Sequence, residues 1–290
     1  MPFNDAAVIT AAGGYVFTGA VGTARPTPAE LDTVEPSLFG AQVTEVAITG
    51  APTGGTFTIT VGGTPTAAIP YNATAAQVQA ALVASATVGA GNAIVTGGPL
   101  PATSVKIAWV GALQGVSPGT VTVTPTLTGG TTPAITATVF TALNGWTPVG
   151  HTSRDDMPEF GFDGGDFEVK GTWQNAQLRE VTTEQAADYL TMFLHQFDAG
   201  SFELYYGANA SATPGIFGVS GGNAVANEKA VLVIIVDGAT RIGFYAPKAG
   251  IRRDDSIGLP VDDFATLPIR ATFLKLGANN LFEWISEDLF

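Results

Sequence analysis

Charge stops abruptly inside this chain of 290 residues, and that break constrains its folding more than any other feature. Residues 40–143 contain only two charged side chains, Glu45 and Lys106, and after Lys106 the next is Arg154. All but one of the 25 acids and one of the 12 bases therefore lie in the flanks. Two such different surfaces point to two folding units: residues 1–39 with 144–290, and an inserted neutral domain over 40–143. A single β-domain with a long threonine-rich stretch is the alternative. The neutral part must keep itself soluble with Thr, Ser, Gln and Asn.

Composition supplies the class. A hydrophobic content of 46 % allows a sizeable core, and 36 glycines with 18 prolines imply many short strands and tight turns. In the neutral stretch, Thr56-Phe57-Thr58-Ile59-Thr60-Val61 alternates polar and apolar, the period of a half-buried strand. Val105-Ile107-Trp109, Val121-Val123 and Ile135-Ala137-Val139 repeat the pattern between Gly and Pro clusters. One short helix interrupts them: Thr74 and Gln77 form a capping box, and Val78 and Leu82 supply its apolar face.

The flanks read as a second, more ordinary β-rich domain. Thr27-Pro28-Ala29-Glu30 is a capping box with Pro at the first helical position, opening a one-turn helix. Phe167, Val169, Gly171 and Trp173 fall on one face of a strand, with Glu168, Lys170 and Thr172 on the other. The main helix is expected next, capped by Thr182 with Gln185 at its third position. Ala186, Leu190, Phe193, Leu194 and Phe197 would form its buried stripe. Val231–Val236 reads as a strand buried on both faces, meeting Ile242-Phe244-Ala246 across Asp237-Gly238. Further strands are expected around 269–276 and 281–285. The fold class is mostly β (α+β): a sandwich or barrel with one packed amphipathic helix, plus the small inserted β-rich domain with its own short helix.

The charge balance excludes several functions. A net charge of −13 opposes sequence-independent nucleic-acid binding and polybasic contact with anionic lipid. With no cysteine there is no disulfide framework, cysteine nucleophile or thiolate metal site. Met1-Pro2-Phe3-Asn4-Asp5 lacks the parts of a signal peptide, so folding in a cytoplasm is expected, and the longest apolar run, 231–236, is too short to span a bilayer.

Candidate chemistry fails residue by residue. His151, Ser153 and Asp155 lie on one loop without a Gly-x-Ser-x-Gly elbow, so turn and capping roles suffice. His195 is expected to face solvent near a helix C-terminus, beside Asp188 and Thr191. Two histidines without cysteine give no zinc spacing. Asp155-Asp156, Asp163 with Asp166, Asp254-Asp255 and Asp262-Asp263 match no calcium loop and read as solvated turns. Gly218-Val219-Ser220-Gly221-Gly222 matches no phosphate-binding pattern, and the sequons at Asn72 and Asn209 read as coincidental. No catalytic, cofactor-binding or metal-ligating residue is assigned, no cofactor is expected, and the chain does not read as an enzyme. A hydrolase is the weakest class.

The flanks carry an ordered series of motifs. Asn4-Asp5-Ala6-Ala7-Val8 leads to Gly14-Tyr15-Val16-Phe17; Gly145-Trp146-Thr147-Pro148-Val149-Gly150-His151 and Pro158-Glu159-Phe160 follow the neutral stretch. Arg179-Glu180-Val181-Thr182-Thr183 and Leu281-Phe282-Glu283-Trp284-Ile285-Ser286 complete it. Together they resemble the major tail tube proteins of long-tailed, siphovirus-type phages infecting actinobacteria. The block 40–143 departs from that family, in which a short loop usually joins these segments. Its Thr53-Gly54-Gly55-Thr56-Phe57 and Thr96-Gly97-Gly98-Pro99 resemble small β-rich modules of phage structural proteins.

The resemblance implies a tail-tube-type β-sandwich or barrel in the virion tail, assembled in the host cytoplasm as a homohexamer. Rings would stack head to tail into a tube that conducts DNA without binding it specifically, with no membrane contact. Tape measure, terminator and distal tail proteins would meet its ends, and the inserted block would sit outside the wall. The first two dozen residues, with isolated Val8, Ile9, Tyr15, Val16 and Phe17, are too apolar for a solvated tail. At least part of them is expected to add strands or cover edges on a neighbouring subunit, so that removing residues 2–20 leaves a folded protein that forms no tubes. In the alternative reading the 40–143 module is a surface-binding adhesin for cell-wall carbohydrate, such as a host-surface glycan, with Trp109 and Tyr71 as stacking residues.

Overall fold

The computed structural model describes residues 7–33, 35–221 and 227–290. By compactness the chain divides into Met1–Thr33 with Val149–Phe290, and Val34–Pro148. The boundaries fall outside those drawn from charge because packing, not surface chemistry, sets them. Phe39 is buried, and Leu38 packs with Ala41, Ala108 and Val110 inside the second unit.

In chain order, the first unit contributes β1 (Gly13–Gly19) and α1 (Pro28–Thr33). Thr27 and Glu30 form the expected capping box, the Thr27 N–H donating to Glu30 Oε2 at 2.8 Å. Those bonds from Thr27 hold the Glu30 carboxyl below its ordinary value.

The second unit then runs through β2 (Val43–Thr49), β3 (Gly54–Val61), β4 (Thr64–Pro65), β5 (Ile69–Pro70), α2 (Ala75–Val83), β6 (Ala93–Gly97), β7 (Val105–Trp109), β8 (Val121–Thr128), β9 (Ala134–Thr141) and β10 (Trp146–Pro148). One sheet orders β6-β7-β2-β9; in the other, β3 pairs with β4, β5 and β8. The pleat sends Phe57, Ile59 and Val61 inward to a core with Val78, Leu82, Ile107 and Trp109. The opposite face pairs Thr56, Thr58 and Thr60 with Thr126, Thr124 and Thr122, the first two joined through their hydroxyls at 2.9 Å. A hydroxyl ladder thus hydrates and braces a face that has no charge. Helix α2 carries its capping box: the Thr74 side chain accepts from Gln77 N, and Gln77 Oε1 accepts from Thr74 N.

The chain returns to the first unit with β11 (Glu159–Asp163), β12 (Phe167–Thr172), β13 (Asn175–Thr182), β14 (Ala187–Leu194), α3 (Ala199–Tyr206), β15 (Asn227–Asp237), β16 (Thr240–Arg253), β17 (Leu267–Phe273) and β18 (Glu283–Ile285). An antiparallel sheet runs β1-β15-β16-β17-β14-β11, with β18 also on β16. The expected hairpin forms, with Val236 opposite Arg241, Asp237 opposite Thr240, and Gly238 at φ 58° in the turn. Val231, Leu232, Val233 and Ile234 are all buried. The fold is mostly β with few helices.

Three expectations are corrected. The main helix is not at 182–197: Ala187–Leu194 is a strand, between β11 and β17, with Leu190, Met192 and Leu194 buried at period 2. Thr182 ends β13, and Thr183 binds the Asp166 carbonyl instead of opening a helix. Two strand edges were available to this segment, and pairing with both outweighed its helical period. The packed helix is α3, capped by Asp198, whose carboxylate accepts from Ser201 N at 2.9 Å. Second, removing residues 2–20 would not leave the fold intact: Gly13–Gly19 form β1, paired with β15, and Val16 and Phe17 are buried, so these two belong to the monomer's core. Residues 2–6 of that stretch lie outside the described residues. Third, β12 is exposed along its whole length and has no buried face.

Candidate assembly surfaces

The residues weighed for catalysis do not assemble into a site. Ser153 is buried; its N–H donates to Phe193 O at 2.8 Å and its Oγ accepts from Asp156 N at 3.0 Å. The His151 N–H donates to Gln196 Oε1 at 2.6 Å, tying the loop to the end of β14. His195 is not on a helix: it follows β14, with Nδ1 3.0 Å from Ala265 O and its ring 5.5 Å from Phe264. Among the described residues no group of three or more His, Asp or Glu side chains gathers as a metal site would require.

The acidic turns have structural partners. Arg270 on β17 reaches Asp163 Oδ2 at 2.7 Å and Asp254 Oδ1 at 2.7 Å, and lies over the Tyr189 ring at 4.0 Å. Burial would lower the Arg270 pKa, but the Asp254 and Asp163 carboxylates outweigh it and hold the guanidinium further into its charged form. Asp255 Oδ1 accepts from Ser256 N and Asp263 Oδ1 from Phe264 N, both at 2.6 Å, as turn-forming aspartates do. The stacking role of Trp109 is excluded by its burial: it is 0 % exposed and its indole N–H donates to Thr44 Oγ1 at 2.9 Å. Tyr71 is partly buried.

What the surface does offer is unpartnered apolar structure in the first unit. β12 and β13 form a two-stranded ribbon, Phe167 opposite Thr182 and Thr172 opposite Asn175, exposed on both faces. Phe167, Val169 and Leu178 stand in solvent along it, and Trp173 at its tip is 100 % exposed. An isolated two-stranded ribbon is marginal in water. The 254–266 loop adds exposed Leu259, Val261 and Phe264.

In the first unit, residues of β1 and β11 line a groove of about 370 Å³. Gly13, Gly14, Met157, Pro158, Phe160 and Ile235 form most of it, with Arg154 at its side. Phe160 is held there by an aromatic cluster: its ring centroid is 4.5 Å from Phe244 and 5.3 Å from Trp284, and Phe282 lies 5.4 Å from Phe244. The motif residues around Phe160 and 281–286 therefore meet in packing, not in chemistry. Sequence reading missed the ribbon's exposure and the groove. The only signal was Trp173, a large apolar side chain in the two-residue turn between two strands.

Comparison with known proteins accords with surfaces built for packing. The pattern of the family described as phage tail tube protein matches residues 112–290, beginning inside the neutral unit. Over 170 residues the chain is 56 % identical to the major tail protein Gp23 of Mycobacterium phage L5, covering 56 % of this chain and 85 % of that protein. Over 151 residues it is 59 % identical to the major tail protein Gp23 of Mycobacterium phage D29, covering 52 % of this chain and 75 % of the relative. With more than half of its length matched, the chain belongs to the phage tail tube protein family and is a structural component of the virion tail.

Proposed function

We propose that the chain polymerises as hexameric rings stacked head to tail into the tube through which the genome leaves the virion. The β12–β13 ribbon carries this reading: a monomer gains little from two strands exposed on both faces, whereas a protomer in a polymer covers them with its neighbours. Contacts between unlike surfaces close a ring in one direction and leave a stack open in the other. Tape measure, terminator and distal tail proteins then meet only the tube's ends, and assembly takes place in the host cytoplasm.

The neutral unit belongs on the tube's exterior in this reading, since a block of that size would obstruct the lumen. Two observations support an insertion. The relatives align with 85 % and 75 % of their own length yet with only 56 % and 52 % of this chain, so the chain carries a large part they do not match. Within the neutral unit its two ends meet, because the Trp146 carbonyl lies where a Cβ on Gly40 would stand.

The flanks hold the whole net charge of −13, since Glu45 and Lys106 cancel. Carboxylates on the inner wall repel phosphate within about 8 Å at physiological salt, so a duplex passes without being held. Electron microscopy of the purified protein tests the proposal. Hollow tubes with sixfold symmetry, outer protrusions and an acid-lined lumen are expected. Monodisperse globules at every concentration overturn it, and another symmetry overturns the hexamer.

A further inference from the structure

We propose that Trp173 of one copy seats in the apolar groove between β1 and β11 of the next copy, as a knob entering a hole. The inference rests on the tube-forming reading above and names the contact through which copies join.

The knob is defined by contrast. Of the four tryptophans, Trp109 and Trp146 are 0 % and 1 % exposed and Trp284 is 43 % exposed, whereas Trp173 is 100 % exposed. It sits in the turn between Thr172 and Asn175, at the far end of a ribbon whose pairing begins at Phe167 and Thr182. Burying an aromatic side chain removes roughly 150–250 Å² from water, so a fully solvated indole on a paired scaffold is a large unused driving force. Its flanking strands keep it presented: the two-strand pairing restricts the backbone of the tip more than a free loop would.

The hole is defined by what its floor lacks. Gly14 lies opposite Ile235 in the pairing of β1 with β15, and a Cβ there would find only Ile234 O, at 3.7 Å. Gly14 shares a face of the sheet with Val16, Val233 and Ile235, so its missing side chain leaves the groove open beside Met157, Pro158 and Phe160. A cavity of about 150 Å³ accepts a benzene ring, so about 370 Å³ has room for an indole. Arg154 lines the same groove, is exposed and has no hydrogen bond or ion pair among the described residues. A guanidinium so placed can cover the face of an entering indole, the preferred ring for a cation.

The two features do not satisfy each other within one copy: Trp173 is 100 % exposed, and no residue of the ribbon lines the groove. The paired strand from Phe167 to Trp173 is about 20 Å long at roughly 3.3 Å per residue, a reach that suits contact with another copy. A knob and a complementary hole on different parts of one surface make a heterologous contact, which repeats from copy to copy as a tube requires.

The absence of native cysteine makes the contact directly testable by cross-linking. Gln174→Cys beside the knob and Met157→Cys in the groove are combined in one chain, leaving Trp173 and Arg154 intact. Mild oxidation of assembled tubes is expected to give a ladder of covalent multimers, while each single variant stops at dimers. Trp173→Ala and Gly14→Leu, the second filling the floor, should each raise the protein concentration needed for assembly by at least roughly thirtyfold, the effect of losing a central aromatic anchor. Both monomers should keep the unaltered circular dichroism and thermal midpoint. Tubes that form from Trp173→Ala at the unaltered concentration, or well-formed tubes of the paired-cysteine chain that give no ladder, overturn the knob while leaving the tube reading intact. If Gly14→Leu alone is misfolded, the cross-link and Trp173→Ala decide. Failure of the unaltered chain to form tubes overturns both.

Discussion

Met192 and Phe193 are neighbours whose substitution measures directly which way the 187–194 segment is folded. In the strand, Met192 points into the core with Leu190 and Leu194 and is 1 % exposed, while Phe193 faces the other side and is partly exposed. Met192→Ala deletes three buried side-chain atoms. At about 0.8 kcal/mol per buried methylene-sized group the transfer loss is about 2.4 kcal/mol. The unfilled cavity brings the total to roughly 3 kcal/mol, inside the 2–5 kcal/mol range for such truncations. Phe193→Ala leaves a space that water can enter, so only the covered part of the ring is lost, about 1 kcal/mol. In a unit of this size each kcal/mol moves the thermal midpoint by roughly 2–4 °C. Met192→Ala should therefore lower it by about 6–12 °C and Phe193→Ala by about 2–4 °C. Equilibrium guanidinium unfolding of unassembled protein gives the free energies, and circular dichroism on heating gives the midpoints. If the segment were a helix, Phe193 would join the buried stripe of Leu190 and Phe197 and Met192 would leave it, reversing the order. A loss for Phe193→Ala equal to or larger than that for Met192→Ala refutes the strand.

The N-terminal segment is pinned by Asp237, whose two carboxylate oxygens accept from Thr10 N at 2.7 Å and Thr10 Oγ1 at 2.9 Å. Those bonds lower its pKa below 3.8, so the anchor is complete above that unfolded value and is lost as pH falls through the lower folded one. Protection of the Thr10 amide against hydrogen exchange should stay constant down to about pH 4 and then vanish, and Asp237→Ala should remove it at neutral pH. Protection that persists at low pH contradicts the anchor. In the neutral unit, Thr44→Val keeps the shape but leaves the buried Trp109 indole N–H without its acceptor. A loss of roughly 1–3 kcal/mol in calorimetry is expected, and no change would mean the bond contributes nothing net. Finally, a chain joining Phe39 directly to Asn144 should remain soluble and still form tubes by negative stain, since insertions are tolerated where their ends meet at a surface. Insoluble protein would place residues 40–143 in the core.

Much of the local structure was already determined by the sequence, because its causes lie within a few residues. The two capping boxes need only a hydroxyl and a carboxyl or amide three positions apart, and both Thr27–Glu30 and Thr74–Gln77 form. The hairpin at Gly238 follows from a turn that tolerates positive φ between two runs of strand formers. The acidic flanks and neutral middle were fixed by composition alone. The 182–197 segment was not, since its apolar residues satisfy both a helical and a strand period. Only the free edges of β11 and β17, far away in sequence, decided for the strand. The same holds for the assembly surfaces. Trp109 and Trp173 each end an alternating apolar run, Val105-Ile107-Trp109 and Phe167-Val169-Gly171-Trp173, yet Trp109 is 0 % exposed and Trp173 is 100 % exposed. Periodicity tells which residues share a face, but burial depends on whether another part of the chain arrives to cover that face. For β12 and β13, among the described residues, none does.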